Sequence, residues 1–383
     1  MASSETFDSL VIGLAEFLRQ EIKYPYPDLL HRALNTLSLE MTAVRYPRTL
    51  TGLLALLEKP IRIWCPNFVP KEFDSDFGLI YEGLLSEEAS RYLYDELFDR
   101  AKLSEPASIV VKQTVLENFQ FQKLLERLQE IYNHDPERSQ QEYVLLRQFL
   151  IENPHTTSQQ LRQTFSKTRY ISIEEVGDLY EDWSEDIPCW NCDCCGPLIE
   201  KHGQLRGIKP SACNDHRKDL PYVQRVVWKQ GLRRLKFGIH WRVCLPGIPE
   251  INLYHALMQL QKEYPDHLCA VHLYPGIDRY DIQLCFGDKS VWAVDLKDYQ
   301  NPYNLARKLT PLYIEGDLRY DESFYVIPIY RLQQYENYLE ILREQSKVPN
   351  SVHLLSNVKF EQRVTTKIKH LRQGASNESN ESI

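Results

Sequence analysis

Two aspartates and one lysine, Asp281, Asp295 and Lys297, have the residue types and the spacing that best suit chemistry. Two carboxylates that face each other across a β-ladder repel, at a cost of a few tenths of a kcal/mol to about 1 kcal/mol. A divalent cation between them reverses this repulsion, because carboxylate oxygens are the ligands that Mg²⁺ prefers. A lysine beside such a metal can orient or deprotonate a water molecule. The three residues therefore predict phosphodiester hydrolysis assisted by Mg²⁺ or Mn²⁺.

A β-hairpin is the element that would bring these residues together. The segments 280–286 and 290–296 have the composition of strands, and the Gly-Asp-Lys sequence between them signals a tight turn. If these three residues form the loop, Asp281 lies opposite Asp295 in the ladder. Because side chains alternate along a strand, Lys297 shares a face with Asp295.

A second group of residues has the spacing of a zinc site. Five of the nine cysteines fall between positions 189 and 213. Two close ligand pairs with a loop between them suit tetrahedral Zn²⁺, since each pair can sit on a tight turn. Unmetallated thiols are the weaker alternative, because clustered exposed thiolates are reactive. The predicted ligands of this structural zinc are Cys189, Cys192, Cys213 and His216, with Cys194 and Cys195 as alternates.

Charge is unevenly distributed along the chain, although the 383 residues sum to a net charge of -8. Residues 201–242 hold eleven basic residues against two acidic ones, and Tyr222, Trp228 and Trp241 are interleaved with them. Aromatic side chains among lysines and arginines suit base stacking together with phosphate contacts. A solvated basic face is the alternative. The residues predicted to bind nucleic acid are Lys229, Arg233, Arg234, Lys236 and Arg242.

The remaining composition excludes several classes of protein. Each apolar run falls well short of the roughly 18 residues that a membrane-spanning helix needs, and the N-terminus does not resemble a signal peptide. The cysteines outside the cluster lie among apolar neighbours, as reduced core thiols do, which favours a cytoplasmic protein over a disulfide framework. The motifs of nucleotide hydrolases, Rossmann enzymes, serine hydrolases and zincins are missing from the sequence.

The elements that position these residues follow a multidomain α+β order. Residues 1–140 show helical periodicity, and 141–186 contain three short helices, the last two opened by capping boxes, which predict a winged-helix-like unit. A structural or protein-interaction role is favoured over DNA reading, because the third helix would carry carboxylates that repel phosphates, namely Glu174, Glu175, Asp178, Glu181 and Asp182. Residues 187–242 are expected to form a zinc-ribbon-like basic segment and 243–347 an α/β core. Residues 348–383 would form a C-terminal segment that ends in a disordered tail.

The pattern in the C-terminal core resembles the PD-(D/E)xK nucleases, which share the restriction-endonuclease-like fold. That fold has a helix, a three-strand meander carrying the acids, a second helix and a further strand. The predicted helix 251–262 and the hairpin strands follow this order. Asp281 matches the first motif acid, and Asp295-Leu296-Lys297 matches the (D/E)xK motif. The resemblance covers about residues 245–335.

This resemblance implies further site residues. The backbone carbonyl of Leu296 would complete the protein ligands of the metal, and the motif lysine would activate water. The first helix would contribute an auxiliary acid, for which Glu250 and Glu263 are both candidates. Asp278 is a rival for the position of the first motif acid. Gln300 is a candidate ligand of a phosphate or water, or else an exposed polar turn residue.

The order of the whole chain resembles the restriction-endonuclease-like protein encoded beside prokaryotic PIWI-RE proteins, in three-gene systems that include a helicase. This resemblance implies a defence role against invading DNA or RNA, with PIWI-domain and helicase partners. The first hypothesis is therefore a Mg²⁺-dependent endonuclease whose basic segment guides nucleic acid. The alternative is a non-catalytic nucleic-acid-binding or scaffold subunit, in which the nuclease fold serves as a platform.

Overall fold

A computed structural model of the chain shows a mixture of helices and sheets, in agreement with the predicted α+β class. The chain divides into two units, residues 1–119 with 206–211 and residues 120–205 with 212–383. The structure describes residues 4–19, 24–40, 46–47, 49–64, 69–81, 83–97, 109–184, 188–193, 195–201, 203–207, 213, 216–312 and 316–380.

The first unit is mainly helical, as its periodicity predicts. Phe7 is fully buried in its first helix and packs edge-to-face against Phe73 and Tyr92. A short hairpin joins strands β1 (Ile80–Tyr81) and β2 (Leu84–Leu85). The described helices are Ser4–Arg19, Asp28–Glu40, Leu50–Leu57, Ile61–Trp64 and Glu87–Arg91, the last continuing as a π-helix over Tyr92–Glu96.

A small three-stranded sheet organises the start of the second unit. Its strands are β3 (His155–Thr157), β4 (Tyr180–Asp182) and β9 (Leu232–Leu235), arranged in the order β3-β9-β4 with antiparallel pairing. Side chains cap the helices around this sheet, and Ser172 forms the predicted capping box with Glu175. The helices of this region are Ile109–Tyr132, Pro136–Glu152, Ser158–Phe165 and Ile173–Gly177.

The segment that carries the clustered cysteines lies between β4 and β9 in the chain. Strand β5 (Trp190–Cys192) pairs antiparallel with β6 (Gly196–Lys201) on one side and with β8 (Val223–Arg225) on the other. Strand β7 spans Gln204–Gly207. Because this segment leaves from β4 and returns into β9, it is an insertion between two strands of the small sheet.

A five-stranded sheet dominates the C-terminal part of the second unit, in the order β10-β11-β12-β13-β14. Strands β10 to β12 form an antiparallel meander, and β13 and β14 then add in parallel. The strands are β10 (Leu268–Leu273), β11 (Ile282–Phe286), β12 (Val291–Leu296), β13 (Glu322–Ile327) and β14 (Val352–Ser356).

Helices cover both faces of this sheet. Along the chain, a helix, the three-strand meander, a second helix and a further strand follow one another in the predicted order. The short helix Phe237–Ile239 and the π-helix His240–Cys244 lead into the first of them, and a helical turn, Pro275–Asp278, precedes β11. The remaining helices are Leu245–Glu263, Pro302–Lys308, Ile329–Gln334, Tyr338–Gln345 and Asn357–Asn380, with a 3₁₀ turn at Gly316–Leu318.

The alternation of side chains along β11 and β12 decides which residues face which layer. Leu284 and Val294 point into the larger core, where helix Asn357–Asn380 contributes Phe360. Residues at odd positions face the other layer, where Ala293 packs with Tyr325. Asp281 and Asp295 belong to this second face, so polar groups enter the sheet without interrupting the apolar core.

The C-terminal segment differs from its prediction. Strand β14 extends the sheet beyond the expected core boundary at residue 347, and its alternate residues Val352 and Leu354 are buried. The tail that the sequence predicts to be disordered is helical up to Asn380, and residues 381–383 lie outside the described residues. Docking of β14 beside β13 is a long-range pairing that local composition does not encode.

The loop of the β11–β12 hairpin provides a test of this fold. A Cβ atom on Gly287 would lie 2.4 Å from the backbone oxygen of Asp266, and that oxygen cannot move independently. Gly287→Ala should therefore lower the free energy of unfolding by about 1–3 kcal/mol, measured by chemical denaturation. Lys289→Gly is the matched control in the same loop. Because Lys289 has a φ of 67°, a glycine there should keep or raise stability, and a loss equal to that of Gly287→Ala would contradict the loop geometry.

Candidate active site and candidate metal centre

The register of the β11–β12 hairpin is the one predicted from the sequence. Ile282 pairs with Val294, and the N–H of Phe286 donates to the carbonyl of Ser290 at 2.9 Å. The described pairing ends at Ile282, and the N–H of Asp281 donates to the carbonyl of Val294 at 3.1 Å, so Asp281 is not paired with Asp295 in this register. The carboxylates of Asp281 and Asp295 are still close enough to interact. The three-residue loop closes this register because Lys289 adopts the left-handed conformation.

Asp281 and Asp295 are both buried, with 6% and 8% of their surfaces exposed. The Oδ2 atom of Asp281 accepts a hydrogen bond from the N–H of Leu296 at 2.6 Å. The Nζ atom of Lys297 donates to Oδ1 of Asp295 at 2.6 Å, and lies 6.0 Å from the centre of the Tyr325 ring. The hairpin therefore brings together the three residues that the sequence singled out.

The electrostatics of this group reflect burial and crowded negative charge. Burial raises the pKa of Asp281 well above its usual range, and the charges of Glu250 and Asp295 raise it further. Burial disfavours the charged form of Lys297, but the carboxylates of Asp295 and Asp281 outweigh that effect and raise its pKa. The lysine thus remains a cation between two acids.

Glu250 is the acid of the first helix that approaches this group. Its carboxylate accepts hydrogen bonds from the Tyr274 hydroxyl at 2.7 Å and from the Arg147 guanidinium at 3.0 Å. Burial raises the pKa of Glu250, although the positive charge of Arg147 opposes the shift. Glu263, the alternative in the sequence, is exposed and accepts a hydrogen bond from Gln259 on its own helix.

Asp278, the rival of Asp281, lies in the turn before β11 and not in the ladder. Its carboxylate accepts a hydrogen bond from Arg147 at 2.6 Å, which occupies it in an ion pair. Gln300 is partly exposed in the loop between β12 and the helix Pro302–Lys308. Asp278 is thus held in an ion pair with Arg147, whereas Asp281 is the acid that interacts with Asp295.

Asp298 is a site-proximal residue that the motif analysis missed. Its Oδ1 accepts hydrogen bonds from Arg331 at 2.6 Å and from the Tyr330 hydroxyl at 2.8 Å, and the Arg331 side chain is fully buried. This pair ties the end of β12 to the start of the helix Ile329–Gln334. The only sequence signal for it was one more acid directly after the lysine of the motif.

Carboxylate oxygens predominate around Asp281. The charges of Glu250 and Asp295 act on it, and the nearby base Lys297 pairs with Asp295. Buried carboxylates need compensating charge, and oxygen donors match the preference of Mg²⁺ and Mn²⁺.

The ligand-type residues of the inserted segment form a second group. The side-chain donor atoms of Cys192, Cys195, Cys213 and His216 all lie within 4.8 Å of one another. The Sγ atoms of Cys192 and Cys213 are 3.7 Å apart, close to the roughly 3.8 Å edge that follows from tetrahedral Zn–S bonds of about 2.3 Å. Gly196, with a φ of 72°, allows the tight turn after Cys195. The group could therefore bind zinc.

This group corrects the predicted ligand set at one position. Cys189 lies apart from the other three predicted residues, because the extended strand β5 carries it about 10 Å from Cys192. Its Sγ is 2.8 Å from Nε2 of His155, and burial raises its pKa to about 11. Cys195, named as an alternate, takes its place, whereas Cys194 lies outside the described residues.

The predicted nucleic-acid-binding residues lie on and around β9. Arg233 and Arg234 form ion pairs with Asp182 and Glu181 across the β4–β9 ladder. These two acids lie in a strand, whereas the sequence analysis expected them on the third helix. The positive charge of both arginines is therefore paired with an acid of the neighbouring strand. Lys229 is exposed, Lys236 donates to Gln120 at 3.4 Å, and Arg242 is partly exposed in the π-helix.

Within the part of the chain that the structure describes, no helix has the length and hydropathy needed to cross a membrane.

The segment that contains the meander and the helices around it also matches a known family. Residues 247–372 match the protein family described as the REase associating with pPIWI_RE, which supports the resemblance predicted from the sequence. No curated protein and no solved structure matches the chain.

The zinc group generates a prediction that separates the two cysteine assignments. Purified protein should contain about one Zn²⁺ per chain, and Cys195→Ser should lose it and lower the unfolding temperature, because metal binding contributes to folding. Cys189→Ser is the matched control and should keep the metal. Loss of Zn²⁺ from Cys189→Ser together with its retention in Cys195→Ser would contradict the assignment, and elemental analysis distinguishes the two outcomes.

Proposed function

We propose that this protein is a Mg²⁺- or Mn²⁺-dependent endonuclease that hydrolyses phosphodiester bonds of DNA or RNA. One observation carries the proposal: two buried aspartates interact at the open end of a hairpin, with a lysine ammonium on one of them, inside a segment that matches the REase family. Buried like charges on neighbouring strands are unfavourable unless a cation or a proton compensates them. Because these acids do not stabilise the fold, we attribute their position to metal binding.

Each residue of the site has a distinct role in this proposal. Asp281 and Asp295 hold the metal together with the backbone carbonyl of Leu296. Such an ion, when bound, polarises the phosphate and lowers the pKa of water. Lys297 orients the attacking water and stabilises negative charge, because its ammonium is fixed 2.6 Å from Asp295. Glu250 adds an auxiliary negative charge.

Gln300 is proposed to contact a phosphate or a water. It is partly exposed and follows the motif by three residues, in the loop that leads to the Asn301 cap of the next helix. From there a polar amide can reach a substrate that approaches the end of β12.

Nucleic acid is proposed to approach along the inserted segment and β9. We propose that the sheet with strand order β3-β9-β4 and its helices form a winged-helix-like unit, in which the cysteine segment would be a zinc-ribbon-like insert between two of the strands. A structural Zn²⁺ would cross-link this insert. Lys229 and Lys236 are the stronger candidates for phosphate contacts, because Arg233 and Arg234 are held by acids.

The family description names an association with pPIWI_RE, which supports action beside a PIWI-domain protein. We propose that the nuclease serves a prokaryotic defence system together with that partner and a helicase. A protein partner offers one way to direct the nuclease, because the short helix Ile173–Gly177 that precedes the basic segment carries Glu174 and Glu175, which repel phosphates.

Cleavage assays test the proposed catalytic residues. Asp295→Asn and Lys297→Met should each reduce Mn²⁺-dependent cleavage of plasmid, single-stranded DNA and RNA by about 100-fold or more, because each removes charge at the reacting phosphate. Asp288→Asn is the control, since this aspartate lies in the same hairpin but pairs with Lys367. Equal activity in all four proteins would favour the non-catalytic scaffold and reject the nuclease.

Filter binding at several salt concentrations tests the basic segment. The double change Lys229→Gln and Lys236→Gln should weaken binding regardless of sequence and reduce the slope of log K against log salt by about 1–2, because each phosphate contact releases a counterion. Changing Lys359 and Lys369, two exposed lysines of the C-terminal helix, is the charge-matched control. The same loss of affinity in both double variants would remove the role assigned to this segment.

A further inference from the structure

The helix Pro136–Glu152 contacts the nuclease domain at the turn that precedes Asp281. The side-chain amide of Gln140 donates to the carbonyls of Leu273 at 3.2 Å and Tyr274 at 2.8 Å. Its Oε1 atom accepts a hydrogen bond from the N–H of Ile277 at 3.0 Å. One side chain therefore holds three backbone groups of this turn.

The turn needs such support because its backbone is strained. Tyr274, Ile277 and Asp278 have φ values of 49°, 55° and 69°, in the left-handed region that side chains disfavour. A β-branched isoleucine is especially unfavourable there. Strain of this kind persists only where surrounding contacts impose it, and it commonly accompanies functional sites.

Arg147 lies two helical turns after Gln140, so both side chains leave the same face of the helix. Its guanidinium pairs with Asp278 at 2.6 Å and with Glu250 at 3.0 Å, and lies 4.5 Å from the centre of the Tyr274 ring. The Arg147 side chain is only 10% exposed. It thus joins the turn to the auxiliary acid in one buried network.

We propose that Gln140 and Arg147 are positioning residues of the nuclease site, an inference that rests on the proposed function. They act through the turn, because the N–H of Tyr274 donates to the carbonyl of Asp281 at 2.7 Å, and through the carboxylate of Glu250. Both residues lie outside the segment 247–372 that matches the family. The site is therefore shaped in part by a helix that precedes the nuclease domain by about one hundred residues.

Titration of the full-length chain with Mn²⁺ tests this proposal, together with kcat and KM for cleavage. Arg147→Met and Gln140→Leu should each raise the Kd for Mn²⁺ by about 10- to 100-fold and lower kcat, as changes behind metal ligands do, while KM for nucleic acid stays within twofold. Arg147→Lys keeps the charge and should recover part of the loss. Gln140→Leu should disturb folding less than Arg147→Met, so it tests the proposal if Arg147→Met does not fold.

Arg138→Met is the matched control, because Arg138 lies on the same helix and pairs with the buried Glu142 at 2.8 Å, away from the turn. This variant should bind Mn²⁺ like the wild type. An equal Kd for wild type and both positioning variants, or an equal loss in Arg138→Met, would overturn the inference alone. Failure of the wild type to bind Mn²⁺ and to cleave would overturn the proposed function itself.

Discussion

The buried pair of carboxylates at the open end of the β11–β12 hairpin is the constraint on which the site depends. Asp281 and Asp295 lie close together with less than a tenth of their surfaces exposed, so their mutual repulsion is poorly screened by water. The N–H of Leu296 and the ammonium of Lys297 offset part of it. Placing the acids on one face of the sheet leaves the other face apolar, so the core can pack against Phe324 and Phe360 without interruption.

The elements that precede this domain do not follow one another as separate domains, because one segment is inserted within another. The segment that holds the zinc-type ligands is inserted between β4 and β9, so the small sheet closes only after the insertion is complete. Closure also pairs Arg233 and Arg234 with the acids of β4. The positive charge of this region is therefore partly neutralised locally, which the distribution of charge along the sequence did not reveal.

Local rules predicted the hairpin but could not choose among the cysteines. A three-residue turn and a side-chain period of two are enough to set the register of the hairpin and to bring Asp281 close to Asp295, because both act over adjacent residues. The C-x-x-C spacing occurs twice in overlap, as Cys189 with Cys192 and as Cys192 with Cys195. The strand β5 separates the first pair, whereas the turn after it keeps the second pair together. The strand's exact start is set by pairing with β6 and β8, which are distant in the sequence.

The sequence by itself determined the hairpin that carries the two acids and the lysine, the order of the surrounding elements and the presence of a zinc-type cluster. Only the tertiary structure decided that Glu250 and not Glu263 approaches the acids, and that Gln140 and Arg147 support the turn before Asp281. Arg147 and Glu250 are separated by 103 residues, so their ion pair has no local signature. Contacts of this kind depend on how two helices pack, and packing is a property of the whole fold.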